Sequence, residues 1–393
     1  MALATMAVTS VFQPIVDLDD LHVVGYEALA RGQDGGSPAQ MFSRAYADGN
    51  VAELDWACRA AAYQGALDAG LDKATTLFVN VEPCTLGLPA PAAIEHLQGL
   101  ALHRLRVVLE MTERSITARP AEMLAAAHWA RSHGWGIALD DVGADPASLA
   151  LLPLLGPDVV KLDLRLVQER PDREIAAIMT AVLAYAETSG AGVLAEGIET
   201  PEHLQAARAI GARYAQGYLF GRPGPALEPA QRRVDFLVPA TLPAPGRTPF
   251  EVVAPVRQVR SSTKPMLVEM SEHLEAQAAA QPTPAVVLSV FQDAIHFTPA
   301  TARRYGALAR KSPFVLAMGV GLAPQPVPGV RGAHITADDP LVDEWSVVVV
   351  GAHYGAALVA RDLGEGMFDY ALTHERDLVV RAAQSLLSRT MPG

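Results

Sequence analysis

The chain has 393 residues, 50% apolar and 19% charged, with a net charge of −12. That length exceeds what one hydrophobic core serves and predicts two domains, and the composition excludes a disordered or fibrous chain. The acidic balance excludes broad binding of DNA or RNA duplexes or of anionic membranes, which need a basic field, so any phosphate ligand must be met locally. Cys58 and Cys84 lie far apart with no His or Cys at metal-ligand spacing. Neither a disulfide framework nor a zinc site is expected, and a reducing cytoplasm is the expected compartment. The first ten residues carry no basic residue ahead of their short apolar stretch, and no run reaches the roughly 18 to 20 apolar residues that span a bilayer, which predicts a soluble protein with no membrane partner.

From Val11 to about Pro223, short apolar or β-branched runs alternate with helical segments, the signature of βα units. In chain order the strand-like runs are VFQPIV, VVGYEAL, TLFVNV, RVVLEM, GIALDD, VVKLD, GVLAEGI and YAQGYLF. Before the seventh, Ile175, Ile178, Met179, Val182 and Leu183 recur at helical spacing, which predicts a helix over 174–188 ended by Gly190. Eight such runs predict a (β/α)8 TIM-type barrel over residues 8–238, with its working residues at the C-terminal ends of strands. Residues 239–262 are Pro-rich without periodicity and predict a semi-extended linker. Residues 263–390 carry strand-like AVVLSVF, PFVLAMGV and EWSVVVVGA and helical ATARRYGALARK and ERDLVVRAAQSLLSR, which predicts a smaller α/β domain.

Polar residues close the apolar runs of the first region: Glu27, Asn80, Glu110, Asp140 with Asp141, Lys161 and Glu196. Alone, a strand-end Asp or Glu is more often a helix cap or a solvated charge, and Asn80 alone suggests only a turn. The information lies in the set, because strands aim such groups at a common centre only from the mouth of a barrel. Oxygen ligands without Cys or His favour magnesium or manganese over zinc. Two such ions about 3.5 to 4 Å apart can clamp a phosphodiester and activate water for its hydrolysis.

Glu27-Ala28-Leu29 followed by Arg31 resembles the signature of the EAL family of cyclic di-GMP phosphodiesterases. FQPIV at Phe12 to Val16, Asn80, Glu110 with Thr112-Glu113, Asp140-Asp141, PDVVKLD, AEGIET and AQGYLFGRP resemble further family motifs in the family's order. The resemblance implies a bacterial second-messenger enzyme that hydrolyses cyclic di-GMP to linear 5′-pGpG with two Mg2+ or Mn2+ ions, and a homodimer. Position by position, it implies Glu27, Asn80, Glu110 and Asp140 as ligands of one metal and Asp140, Asp141 and Glu196 as ligands of the other. Lys161 would orient the attacking water, so that Lys161, Glu196, Asp140, Asp141 and Glu27 make up the catalytic set. Gln13, Arg31 and Gln216 would hold substrate, Arg31 being suited to a phosphate by its two-pronged guanidinium. Glu113 and Glu199 would support loops.

The family follows its Asp pair with a Phe-Gly-x-Gly-Tyr-Ser-Ser loop, whereas Val142-Gly143-Ala144-Asp145-Pro146-Ala147-Ser148 lacks the second glycine and the aromatic residue. Two readings stay open. Either Asp145 caps a helix that begins at Pro146 and fixes the loop differently, or a stiffened loop weakens metal binding and activity. The matching functional rivals are a regulated phosphodiesterase and a weak or inactive cyclic di-GMP receptor that signals to a protein partner. A purely scaffolding barrel ranks last, since it leaves the acidic mouth unused. The C-terminal region, through AVVLSVFQDAIHFTPATARRYGALA, DDPLVDEW and LTHERDLVVRAAQSLL, resembles the DICT sensory domain, which implies an input module of unspecified ligand. Its His296, His334, His353 and His374 lie far apart and read as ordinary hydrogen-bonding residues, and Trp345 reads as strand core.

Overall fold

The computed structural model describes residues 8–32, 37–82, 85, 88–112, 117–144, 149–225, 234–236 and 248–390. The chain divides into two compact units, the first comprising Met1–Ser115, Ala125–Ala144 and Pro157–Pro239, the second Ile116–Leu124, Asp145–Gly156 and Ala240–Gly393. Through residue 216 the elements are β1 (Val8–Asp17), β2 (Val23–Gly32), α1 (Pro38–Asp48), α2 (Val51–Asp68), β3 (Thr76–Asn80), α3 (Ala92–Arg104), β4 (Arg106–Thr112), α4 (Pro120–Ser132), β5 (Gly136–Val142), α5 (Leu152–Leu155), β6 (Val159–Leu162), α6 (Arg165–Gln168), α7 (Arg173–Ser189), β7 (Gly192–Ala195), α8 (Pro201–Ala209) and β8 (Tyr214–Gln216).

The eight strands close a barrel in chain order, one from each sequence run. Neighbours from β2 to β8 are parallel, whereas β1 is antiparallel to both β2 and β8. Residues 18–22 join β1 to β2 directly, which leaves no room for the crossover that a parallel pair requires. The anticipated α7 forms as read. The Asp172 carboxylate accepts from the Ile175 N–H at its start, Gly190 closes it in the left-handed conformation, and Ile175, Ile178, Met179 and Val182 are buried. Leu183 instead stays exposed. Of YAQGYLF only Tyr214–Gln216 is strand, because Gly217 turns against the Ile198 backbone; a Cβ there would lie 2.1 Å from the Ile198 carbonyl oxygen. One buried side chain from every strand fills the barrel: Ile15, Val24, Phe78, Val108, Ala138, Val159, Leu194 and Tyr214, with Phe236 packed edge-on to Phe78.

The second unit holds α9 (Pro249–Val253), β9 (Arg260–Thr263), α10 (Lys264–Ala279), β10 (Val286–Asp293), α11 (Pro299–Leu308), β11 (Val315–Val320), β12 (Arg331–His334), β13 (Glu344–Val350), β14 (Gly355–Gly364), β15 (Met367–Thr373) and α12 (Arg376–Leu387). Its sheet runs β12-β11-β10-β13-β14-β15-β9, parallel only across β10, β11 and β12. Tyr305 is a central core residue, packed among Leu267, Leu274, Val287, Val315 and Val347. Two stretches taken from early in the chain complete this unit. Leu152, Leu154 and Leu155 of α5 are buried, and the Leu154 carbonyl accepts from Gln384 Nε2 of α12 at 2.8 Å. Arg331 Nη1 donates to the carbonyls of Thr117 and Ala118 at 3.1 and 2.9 Å.

The stretch expected as a linker departs from that reading where it is described. Thr248 and Glu251 form a reciprocal capping box, α9 buries Phe250, Val252 and Val253, and residues 260–263 pair with β15. The buried Glu344 carboxylate accepts from Thr248 Oγ1 and the Phe250 N–H and pairs with Arg361 at 3.1 Å. The apolar segment is a single short turn, too brief for helical periodicity to show in the sequence. Among the described residues no helix is long and apolar enough to cross a membrane.

Candidate active site

Strand alternation places the site. Two residues further along the chain from the filled position on each of β3 to β8 lie Asn80, Glu110, Asp140, Lys161, Glu196 and Gln216. On β1, which runs the other way, two residues back from Ile15 lies Gln13. Side chains two apart share a face, so these seven stand one tier above the apolar plug, at the open end. Glu27 joins them from β2, opposite Gln13 on one side and Phe78 on the other.

Lys161 is the fully buried centre of this tier. Its Nζ lies 2.8 Å from Glu110 Oε1, 2.8 Å from Glu196 Oε1, 3.2 Å from Asp140 Oδ1 and 3.7 Å from Glu27 Oε2. Amides fix Glu27 from the other side: Asn80 Nδ2 donates to its Oε1 at 3.0 Å and Gln216 Nε2 to its Oε2 at 2.6 Å. Gln216 also donates to Gln13 Oε1 at 3.0 Å, and Gln13 Nε2 to the Gly221 carbonyl at 3.2 Å. Glu110 and Lys161 form the dry floor, while Asp140, Glu196, Asn80 and Asp141 are progressively open to solvent.

Consecutive strand residues point to opposite faces, so Asp140 and Asp141 should diverge. The backbone prevents this: Asp141 has φ +58°, at a register shift between β5 and β6. Asp is one of the few side chains that tolerate the left-handed region. The turn gathers Asp140, Asp141 and Glu196, whose carboxylate oxygens lie within 4.8 Å of one another.

Glu27, Glu110, Asp140 and Glu196 thus gather about one ammonium, with Asp141 beside Asp140 and Glu196. Burial pushes Glu110 well up, reinforced by Glu27 and only partly offset by Lys161. Burial likewise pushes Glu196 up to about 8 against the attraction of Lys161. Burial also works to raise Glu27, but Lys161 and the hydrogen bonds from Gln216 and Asn80 outweigh it and hold that carboxyl below its ordinary value. Burial disfavours the Lys161 charge, yet Asp140, Glu110, Glu196 and Glu27 together hold its pKa well above the ordinary lysine value. The pocket is short of positive charge, which suits hard divalent cations.

Of the other anticipated residues, Arg31 lies four residues beyond Glu27 on β2, with its guanidinium on the Ala30 carbonyl. Glu199 is exposed, and its amide donates to His203 Nδ1. Glu113 lies outside the described residues, as do Asp145, Pro146, Ala147 and Ser148. Sequence reasoning missed the brace behind Asn80. Buried Asp55 pairs with Arg59 and accepts from the Glu82 N–H at 2.9 Å and Thr85 Oγ1 at 2.7 Å, holding the chain just after β3. An Asp and an Arg four apart on an apolar helix were the available signal. In the second unit His334 Nδ1 accepts from the Gly321 N–H and His374 Nδ1 pairs with the Gly355 carbonyl. Among the described residues, Asp140, Asp141 and Glu196 form the one cluster of His, Cys, Asp or Glu suited to a metal.

Comparison with known proteins follows the same division. A family model described as the EAL domain matches residues 1–223, and one described as a sensory domain in diguanylate cyclases and two-component systems, DICT, matches residues 250–363. The chain is 32% identical over 225 residues to the cyclic di-GMP phosphodiesterase RocR of Pseudomonas aeruginosa, covering 54% of this chain and 57% of that one. It is 31% identical over 227 residues to the cyclic di-GMP phosphodiesterase NbdA of the same organism, covering 54% and 28% respectively. A solved manganese and cyclic di-GMP complex of Klebsiella pneumoniae BlrP1 at pH 6 is 30% identical, with a TM-score of 0.51 over 58% of each chain. The chain therefore spans less than two thirds of these relatives' lengths. Through its first 223 residues the chain belongs to the EAL domain family, the cyclic di-GMP phosphodiesterase family, and a DICT sensory domain follows in its second unit.

Proposed function

We propose that the chain hydrolyses cyclic di-GMP to linear 5′-pGpG with two divalent cations, Mg2+ or Mn2+, under the control of its second unit. The observation that carries this reading is the ring of acidic side chains about Lys161, in which Glu110, Glu196, Asp140 and Glu27 converge on a single ammonium. Glu27, Asn80, Glu110 and Asp140 would hold one cation and Asp140, Asp141 and Glu196 the other. When bound, the cations supply Lewis acidity toward the phosphodiester oxygens and lower the pKa of water at the site.

The chain's own residues do the rest. Lys161, charged and anchored by carboxylates, holds and orients the attacking water by donating or sharing its protons. Asn80 and Gln216 lock Glu27 in one rotamer, so the site is organised before substrate arrives. Gln13, Gln216 and Arg31 hold the cyclic dinucleotide, Arg31 by a phosphate, so that its scissile bond faces the acidic tier. Control by the second unit is supported by chain continuity: Asp145–Gly156, which begins four residues after Asp141, belongs to that unit. A signal acts there only by favouring one of two states unequally. Homodimerisation belongs to the same reading.

The test is incubation of the purified full chain with cyclic di-GMP and Mg2+ or Mn2+, with products resolved chromatographically and Glu27→Ala alongside. Metal-dependent pGpG that disappears in the variant is expected. Retention of intact cyclic di-GMP without product would replace the enzyme with a receptor, the outcome favoured if the altered stretch after Asp141 disables turnover.

A further inference from the structure

A second cavity lies wholly within the second unit, about 260 Å3 in volume, where α10, the end of β10 and the start of α11 meet. We propose that it binds a small planar aromatic molecule bearing one anionic group, with Ser271 as hydrogen-bonding partner and Lys264 as counter-charge. This site stands apart from the phosphodiesterase reading, which neither requires nor supplies it.

The volume sets the size of the ligand. A dry cavity of about 150 Å3 accommodates benzene, so this one takes a fused bicyclic ring. Phe291 and Trp345 line it, and Phe291 is already braced edge-on by Phe297 and Tyr305, with centroids 5.2 and 5.3 Å away. Rigid aromatic walls favour an aromatic guest through offset or edge contacts.

The polar lining is unfinished. Ser271, one of the lining residues, is 3% exposed, and its Oγ has no hydrogen-bond partner among the described residues. Buried hydroxyls nearly always have one, so an occupant that supplies it completes the site. The charges are also unequal in their engagement. Arg304 is committed to Glu272 at 3.0 Å and to the buried Glu275 at 2.8 Å, which leaves those two carboxylates answered from within the wall. Lys264, half-buried, has no carboxylate within ion-pair reach among the described residues. His296, the remaining titratable group of the lining, is held below its ordinary pKa by burial and by Lys264, against the smaller opposing pull of Asp293 and Asp362. Among the lining residues, Lys264 is thus the cation left without an ion-pair partner. Gln292, also in the lining, has φ +62° at a break in the β10–β11 register, a backbone strain of the kind that collects at binding sites.

The experiment uses the full chain and three isosteric probes: naphthalene-2-carboxylate, the neutral 2-naphthalenemethanol and the cationic 2-naphthylmethylammonium. Calorimetric titration is expected to give one site for the carboxylate, bound about tenfold or more tighter than either control, as a charge-assisted bond implies. Lys264→Gln should erase that preference while leaving the alcohol's affinity within about twofold. Ser271→Leu, which projects an apolar chain into the cavity, should abolish binding of all three, with the unfolding midpoint showing that the unit remains folded. Absence of saturable binding by every probe up to about 1 mM, an affinity weaker than about −4 kcal/mol, overturns the proposal. So does equal or tighter binding of the ammonium, or binding that is indifferent to both substitutions.

Discussion

Replacing Lys161 by Met keeps most of the side-chain volume and removes the charge at the centre of the acidic tier. The ammonium touches Glu110 and Glu196 at 2.8 Å, Asp140 at 3.2 Å and Glu27 at 3.7 Å, fully shielded from solvent. At an effective dielectric of about 20 each contact is worth on the order of 4 to 6 kcal/mol of gross attraction. Desolvation offsets much of that, and the abandoned carboxylates escape by taking up protons, so the net loss approaches the roughly 3 to 5 kcal/mol of a broken buried pair. The escape route leaves a signature in pH. A carboxyl kept neutral by burial has its folded pKa above its unfolded one, so the folded state binds more protons and stability falls as pH rises. Between pH 6 and 8 each additional carboxyl that must keep its proton costs about 2.7 kcal/mol. Urea unfolding in EDTA, followed by tryptophan fluorescence, should therefore show the variant about 1 to 2 kcal/mol below the parent at pH 6 and about 3 to 5 kcal/mol below it at pH 8. A loss under about 1 kcal/mol at pH 8, or one independent of pH, would refute the account of Lys161 as the charge that holds this tier together.

Three further outcomes are expected. Gly217→Ala places a Cβ 2.1 Å from the Ile198 carbonyl oxygen and 2.3 Å from its nitrogen, so it should lower stability by about 1 to 3 kcal/mol or more, and an unchanged urea midpoint would contradict the close approach. Glu344→Ala deprives Thr248, the Phe250 amide and Arg361 of a buried acceptor; it should cost about 3 to 5 kcal/mol and speed hydrogen exchange across 249–253, whereas unaltered exchange there would show that α9 is held by other contacts. Burial, then the Asp55 charge, pushes the Cys58 thiol up from 9.0 to about 12. Iodoacetamide at pH 8 should consequently label it about a thousandfold more slowly in the native than in the urea-unfolded protein, followed by peptide mass spectrometry, and rates within about tenfold would count against that environment.

Much of the barrel and of its working tier was legible because both follow one period. The eight apolar runs became eight strands, and for β3 to β8 the polar residue two places beyond the filled position is the one that faces the mouth. Three things were not legible, each for a physical reason. The antiparallel β1 depends on the length of one turn, which hydrophobic patterning does not encode. The convergence of Asp140 with Asp141 depends on a single left-handed residue, which a strand pattern would place on the opposite face. The helix at 249–253 depends on a capping box and on Glu344, a partner 94 residues away from Phe250, inside a stretch whose prolines spoke for a linker.

The interleaving of the chain between the two units bears on how such a protein can be inherited or re-engineered. Because α5 and the stretch up to Leu124 are encoded between barrel strands yet complete the second unit, a gene cut near codon 240 does not yield two whole modules. It leaves Leu152, Leu154 and Leu155 on the first fragment without the packing they have in the native unit, and leaves α12 on the second without the carbonyl that Gln384 caps. A sensor transplanted by one crossover would arrive incomplete. A functional exchange has to carry three stretches together, so the barrel loops after β4 and β5 and the C-terminal unit are expected to change in concert across lineages rather than as separable pieces.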